Sequence, residues 1–393
     1  MKNVPEIRFK GFEEEWNQYL IKNVASRHDN LRIPIKESKR KKGNVPYYGA
    51  NGIQDYVSGY THNGEYVLVA EDGANDLNIY PVQYVNGKVW VNNHAHVLQA
   101  KCEYGTNKFL RFAISNLKIK PYLVGCGRLK LNSEVLMTLG IKLPKLDSQI
   151  IISKYLYSQD DNIINTSKKI ASLKQLKSAC LISMFPQQGE TVPRVRFKGF
   201  DGEWKKVKLS NCLEISKDIN SVNVYGKEDV LSVSDEMGVM NQIKLLGRSY
   251  AGKSVSKYKI LKPHQIVYTK SPLKDKPYGI IKENCGETGI VSVLYAVFNT
   301  KENVDPTYIH YYFEPKFRIN KYLYPLVNKG AKNTMNISDD TTLDGFVYIP
   351  SSEAEQHQIA SYFRNLDIQI SEQEKRLEKL KQIKAACLDK MFV

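Results

Sequence analysis

Apolar residues recur at three- and four-residue spacing along two long stretches of the chain. In the first, Leu156, Ile163, Ile170, Lys177 and Met184 alternate with Ile152, Gln159, Thr166, Leu173 and Cys180. In the second, Phe363, Ile370, Leu377, Lys384 and Met391 alternate with Ile359, Leu366, Gln373, Leu380 and Cys387. Each is a heptad seam, the pattern of a helix that pairs with another in a coiled coil. The polar seam positions, Lys177 and Lys384 above all, weaken apolar packing but can fix register. Leu176, Leu181, Ile383 and Leu388 widen the stripe beyond what two helices need, which points to docking of another subunit; the alternative is a helix laid on its own globular domain. Helices of about 38 residues would span roughly 57 Å. Elsewhere the pattern shortens to Tyr-, Val- and Ile-rich runs such as EYVLVAEDG, KVWVNNHAHVL, HQIVYTKS and GIVSVLYAVF, which predict strands joined by turns. The KFLRFAIS and PTYIHYYF segments predict short helices.

The chain is also written twice. VPEIRFKGFEEEW at Val4–Trp16 recurs as VPRVRFKGFDGEW at Val192–Trp204, an offset of 188, with Arg8, Phe9, Lys10, Gly11, Phe12, Glu15 and Trp16 repeated. The segments Ser148–Phe185 and Glu355–Phe392 match at an offset of 207, so the second copy carries 207 − 188 = 19 more residues between its anchors. Between the anchors only weak echoes remain. VGCGRLKLNS before GIKLP resembles NKGAKNTMNIS before GFVYIP, and NHAHVL (Asn93–Leu98) aligns with GIVSVL (Gly289–Leu294). Repeated ends around a divergent middle describe one scaffold carrying two differently tuned surfaces.

A length of 393 residues exceeds one typical domain, and 42% hydrophobic content is enough to build cores. The net charge of +16 suits a polyanionic partner, because Lys and Arg on phosphates release condensed counterions. The 25 tyrosines suit half-buried strands and wet interfaces. The six cysteines include no C-x-x-C pair, which excludes a zinc knuckle by spacing and fits a reducing compartment. With a charged N-terminus and no long apolar run, a soluble cytoplasmic protein with no membrane association is expected.

The paired P-x-[IV]-R-F-K-G-F-x-x-x-W openings, the [LI]-P turn before each long helix and the L-x-x-M-F helix ends resemble the specificity subunit of type I restriction–modification enzymes over essentially the whole chain. The resemblance implies an α+β fold of two tandem pseudo-symmetric repeats. Each repeat is a mixed α/β target-recognition domain followed by a long helix, and the two helices pair as an antiparallel coiled coil. The segments would be 1–146 and 187–351 for the recognition domains, and 147–186 and 352–393 for the helices. The resemblance implies a non-catalytic subunit that reads one half of a split double-stranded DNA site with each domain. Its expected partners are two methyltransferase subunits and motor/nuclease subunits. No cofactor is expected in this chain, S-adenosylmethionine, ATP and magnesium being implied for those partners. Helix pairing is assigned to Leu156, Ile163, Ile170, Leu173, Lys177, Phe363, Ile370, Leu377, Leu380 and Lys384. Because the copies differ in the middle, the two half-sites should differ too.

The remaining motifs carry less. GRSYAGKS (Gly247–Ser254) satisfies the P-loop pattern G-x-x-x-x-G-K-S, but the next residues, VSKYKILKPHQIVY, have strand composition where a phosphate-binding helix is needed. A Gly-rich basic loop facing DNA, with Lys253, is the better reading. His94 and His96 on one strand face lack a third ligand, so no metal is expected. Gly125-Cys126-Gly127 is only a fragment of a dinucleotide fingerprint, and no adenine-methylation motif or catalytic triad stands out. For DNA contact the candidates are Lys39, Arg40, Lys41, Lys42, Tyr48 and Asn51 in one basic stretch, with a solvated loop as the alternative. Arg128, Lys130, Lys329, Lys332 and Asn333 form two matched basic loops suited to backbone contact, and Lys270 and Lys274 are further candidates. Three rivals remain open: a tandem-domain architectural DNA binder, an NTP-using enzyme built on Gly247–Ser254, and a specificity protein of another methyltransferase class.

Overall fold

Residues 3–329 and 335–393 are described by the structure, a computed structural model. Chain contacts divide it into two units that do not follow linear order: Met1–Ser167 with Lys375–Val393, and Lys168–Glu374. Each long helix contributes one end to each unit.

In the first unit, β1 (Asn17–Leu20) passes through the short α1 (Ile21–Val24) into β2 (Ala25–Arg27). β3 (Lys42–Gly49), β4 (Gly52–Val57), β5 (His62–Ala70), β6 (Val82–Val91) and β7 (Ala95–Ala100) complete a six-stranded sheet ordered β2-β7-β5-β6-β3-β4. Its pairs are antiparallel except β3 with β6, which run parallel through Tyr47↔Trp90 and Tyr48↔Val91. Central β5 is buried on both faces, as an uninterrupted apolar run requires. Val67 and Val69 pack with Phe109 and Phe112 of α2 (Asn107–Ser115), while Leu68 packs with Val85 and Val97 on the other side. α3 (Ser133–Thr138) precedes β8 (Gly140–Leu143), which pairs antiparallel with β1, and the long α4 (Leu146–Ser183) comes next.

The second unit holds β9 (Lys205–Lys208), β10 (Leu213–Ile215), β11 (Leu231–Ser234), β12 (Gly238–Asn241) and α5 (Gln242–Leu246). β13 (Lys259–Leu261), β14 (Ile266–Tyr268), β15 (Ile281–Glu283), β16 (Gly289–Val291) and β17 (Ala296–Thr300) come next. α6 (Pro306–Phe313) and α7 (Lys316–Leu323) lead to the short β18 (Asn328–Lys329) and β19 (Met335–Asn336). α8 (Asp339–Thr342), β20 (Phe346–Ile349) and the long α9 (Glu353–Lys390) close the chain.

The two units share one scaffold. The order β10-β17-β14-β15 repeats β2-β7-β5-β6, and β20 pairs β9 as β8 pairs β1. Topology therefore equates NHAHVL, which runs from a turn into β7, with the β17 region; GIVSVL, its expected counterpart, instead starts with β16, in a separate pair with β13. The units differ where β3 and β4 extend the first sheet, since the second carries the small β11–β12 and β13–β16 pairs instead. Helices α2 and α6 are both N-capped, Thr106 accepting from the Phe109 amide and Asp305 from those of Thr307 and Tyr308. A glutamine 207 residues from its twin braces each cap. Gln149 Oε1 accepts from Thr106 N and Nε2 donates to Tyr104 O; Gln356 does the same with Asp305 N and Asn303 O.

The repeated openings and helix ends meet as a joint in each unit. The Ile7 amide donates to Lys390 O at 3.0 Å, and Val195 donates to Ser183 O at 2.9 Å. Phe392 stacks on Phe109 and meets Trp16 edge-on; Phe185 stacks on Phe363 and meets Trp204 edge-on. These rings anchor the main core of each unit.

All twenty seam positions read from the heptads are buried or half-buried. Helices α4 and α9 pair antiparallel, as Lys384 with Asp160 in the first unit and Lys177 with Asp367 in the second show. Among the described residues no helix is long and apolar enough to cross a membrane.

Candidate nucleic-acid interface

In the first unit, charged side chains gather where the sheet's turns meet the segment after α2. The turn after β5, Glu71-Asp72-Gly73, needs a left-handed residue at Gly73, φ +66°. Asn51 braces this turn with both ends of its amide, Nδ2 donating to Gly73 O and Oδ1 accepting from Asn75 N, each at 2.9 Å. A hairpin over 124–130 docks beside it. Val124 and Lys130 exchange amide hydrogen bonds of 2.9 Å, and Leu131 N donates to Glu71 O at 2.7 Å. Gly125 and Gly127, both at positive φ, turn the hairpin and place Arg128 near its tip.

Beneath the turn lies an ion network. Arg32 Nη1 and Lys130 Nζ reach Glu71 at 2.5 and 2.8 Å, and His96 Nδ1 meets Asp29 Oδ2 at 2.8 Å while its Nε2 faces Leu131 O. Burial alone would raise the Asp29 and Glu71 carboxyls. Hydrogen bonds from His96 and the Val97 amide to Asp29, and from Lys130 and Arg32 to Glu71, outweigh it and hold both below the ordinary carboxylate range. Asp29, Glu71 and His96 bring ligand atoms within 4.8 Å of one another, the spacing of a metal-ligand set. Arg32 and Lys130 already neutralise those carboxylates, so the group works as an ion-pair lattice. His94 lies in the turn before β7, not on a strand face with His96, and pairs with Asp72 at 2.7 Å.

The basic stretch leading into β3 divides in two. Arg40 is turned inward: it donates to Ile35 O, meets Asp55 at 3.3 Å and lies 4.3 Å over the Tyr47 ring. Lys39, Lys41 and Lys42 are exposed, and Tyr48 is half-buried against the sheet's second core cluster. Burial raises the Tyr48 hydroxyl's pKa, and the neighbouring Tyr56 adds to it.

In the second unit Lys253 and Lys274 are exposed. Lys270, at φ +48°, is tied down: its Nζ reaches Asp339 at 2.5 Å and Ile337 O at 2.9 Å, while Lys259 takes the other Asp339 oxygen at 2.6 Å. Gly247–Ser254 lies after α5 and runs through a turn into β13, so the helix a phosphate loop needs does not succeed it. Lys329 is the second residue of β18; Lys332 and Asn333 lie outside the described residues. On the long helices Leu176 and Ile383, 207 residues apart, are 45% and 37% exposed. Leu181 is buried in the core of the second unit and Leu388 packs against that of the first, so both spend their apolar surface internally.

Asp29, Arg32, Glu71 and Asp72, which form these clamps with His94 and His96, are not among the residues the sequence singles out. The signal available was the acidic pair Glu71-Asp72 set before a glycine in AEDGAN, a turn that can aim two carboxylates at neighbouring basic residues.

Fold and charge together define a tandem module with one scaffold built twice and a different edge on each copy. Residues 13–175 match the family described as type I restriction modification DNA specificity domain. The chain is 46% identical over 151 residues to a Haemophilus influenzae protein described as a putative type I restriction enzyme specificity subunit, a match covering 38% of each. It is 27% identical over 162 residues to the EcoprrI specificity subunit of Escherichia coli, covering 41% of this chain and 38% of that protein. The match thus spans 38% of the length of either relative. Over 99% of both chains the fold is similar to the crystal structure of the type I restriction–modification S subunit from M. genitalium, with a TM-score of 0.65 and 12% identity.

Proposed function

We propose that this chain is the DNA sequence-specificity subunit of a type I restriction–modification complex, a cytoplasmic protein without catalysis of its own. The observation that carries the reading is that the scaffold holding the specificity-domain match at 13–175 is built again in the second unit with a different edge. Two readers on one chain suit a split site, and two different edges suit an asymmetric one. Exposed Lys39, Lys41, Lys42, Lys253 and Lys274 supply phosphate contact, which positions the domains without specifying sequence. Leu176 and Ile383, equivalent in the repeat, give two matched apolar positions for two methyltransferase subunits. S-adenosylmethionine, ATP and magnesium belong to those subunits and to the motor/nuclease subunits.

The test is genome-wide adenine-methylation mapping in a host with and without the chain, its methyltransferase partner present in both. A split, asymmetric methylated motif that disappears with the chain is the expected result. Methylation that does not depend on the chain overturns the reading and leaves an architectural DNA binder.

A further inference from the structure

The candidate base-reading residue is Arg128. Two donors converge on Asp72 Oδ1: Arg128 Nη2 at 2.8 Å and His94 Nδ1 at 2.7 Å. The guanidinium lies against Gly73, where an added Cβ would come within 2.8 Å of Nη2 and 3.1 Å of Nε, so a side chain there would push the guanidinium aside. Asn51 and the 124–130 hairpin hold the two sides of this contact. The fork is thereby tethered through Nη2, while the Arg128 side chain is 59% exposed. Its neighbour Lys130, by contrast, is committed to Glu71.

We propose that Arg128, held by Asp72 and His94 over Gly73, reads a guanine in the half-site contacted by the first unit. The inference rests on the function proposed above. A carboxylate one hydrogen bond behind the guanidinium cancels its charge and repels an approaching phosphate. It does not repel the major-groove edge of guanine, whose O6 and N7 are both acceptors and match the two N–H groups of an arginine fork. Adenine offers a donor beside its N7 and suits Asn or Gln instead. Arg128 therefore contributes discrimination, while the exposed surface lysines contribute salt-dependent affinity. Asp72 and His94 are positioning residues that set the fork's orientation.

Methylation motifs mapped in host strains carrying the full chain as Arg128→Lys, Arg128→Ala, Asp72→Asn, or Arg128→Ala with Asp72→Asn test this. One G·C position in one half of the motif should lose its preference for guanine, on the order of tenfold or more, in both Arg128 variants. The other half should stay as in the wild type. Arg128→Lys keeps the charge and loses the fork, so retained methylation at cognate sites shows a folded chain. Asp72→Asn should broaden the same position, and the double variant should lose no more than Arg128→Ala alone. An unchanged motif with methylation lowered evenly across all sites makes Arg128 a phosphate contact and overturns the inference. Broadening at an A·T position overturns it too. If the wild-type strain shows no chain-dependent split motif, the proposed function falls and takes this inference with it.

Discussion

At the residue scale, equivalent positions in the repeat hold different chemistry. Arg196 grips Glu355 with two hydrogen bonds of 2.7 and 2.8 Å, and Glu355 is almost fully buried. In the first copy the equivalent arginine, Arg8, donates to Glu13 O, and Ser148 stands where Glu355 stands. Removing one partner of a buried pair leaves the other charge without compensation. Arg196→Ala should therefore destabilise the second unit by about 3 kcal/mol, and Arg8→Ala the first by under about 1 kcal/mol; calorimetry of the full chain separates them. His310 supplies a pH response. Burial, then the charges of Lys282, Lys177, Lys276 and Arg364, push its pKa well below the usual value. Its Nδ1 accepts the Glu283 amide at 3.1 Å, a bond that needs the neutral ring on that side. A folded pKa below the unfolded 6.5 means the stability is present above pH 6.5 and is lost as pH falls beneath it. The second unit should melt lower at about pH 5.5 than at about pH 7.5, and His310→Gln should flatten that slope; equal slopes in both proteins would rule the histidine out.

At the element scale, the long helices are the most legible part of the sequence. Heptad spacing depends only on local order, so seam and length come directly from it, as do the short helices α2 and α6. The polar seam lysines have a structural reason. Lys177 Nζ sits 2.6 Å from Glu314 and 2.7 Å from Asp367 with little exposure, and Lys384 meets Asp160 at the equivalent place. Each charge aligns one end of α4 with one end of α9. Lys177→Ala leaves Glu314 and Asp367 facing each other without their cation. The expected loss is about 2 kcal/mol, discounted for the partial exposure of Asp367. Chemical denaturation tracked by helix signal checks this, and a wild-type midpoint would show the pair to be ornamental. The sheets are less legible. Strand order depends on partners far apart in sequence, and where the 19 additional residues fall between the anchors decides which strands correspond. Local similarity alone therefore aligns NHAHVL with β16, whereas topology equates it with β17.

At the scale of the whole molecule, repetition in the sequence outlines the architecture. The repeated anchors form the joints at Trp16 and Trp204, and the divergent middles form the differing sheet edges. The candidate site is only half legible. Positive charge identifies exposed Lys39, Lys41 and Lys42, but the same criterion selects Arg40 and Lys270, whose carboxylates come from elsewhere in the fold. Whether a basic residue meets DNA or a neighbouring acid is a tertiary fact, and local composition does not contain it. On the function proposed above, one chain carries two independent readers. Exchanging residues 192–350 for the corresponding segment of a relative with another specificity, then mapping adenine methylation, tests it most directly. The expected motif is changed in one half and preserved in the other. A motif altered in both halves, or in neither, would contradict it.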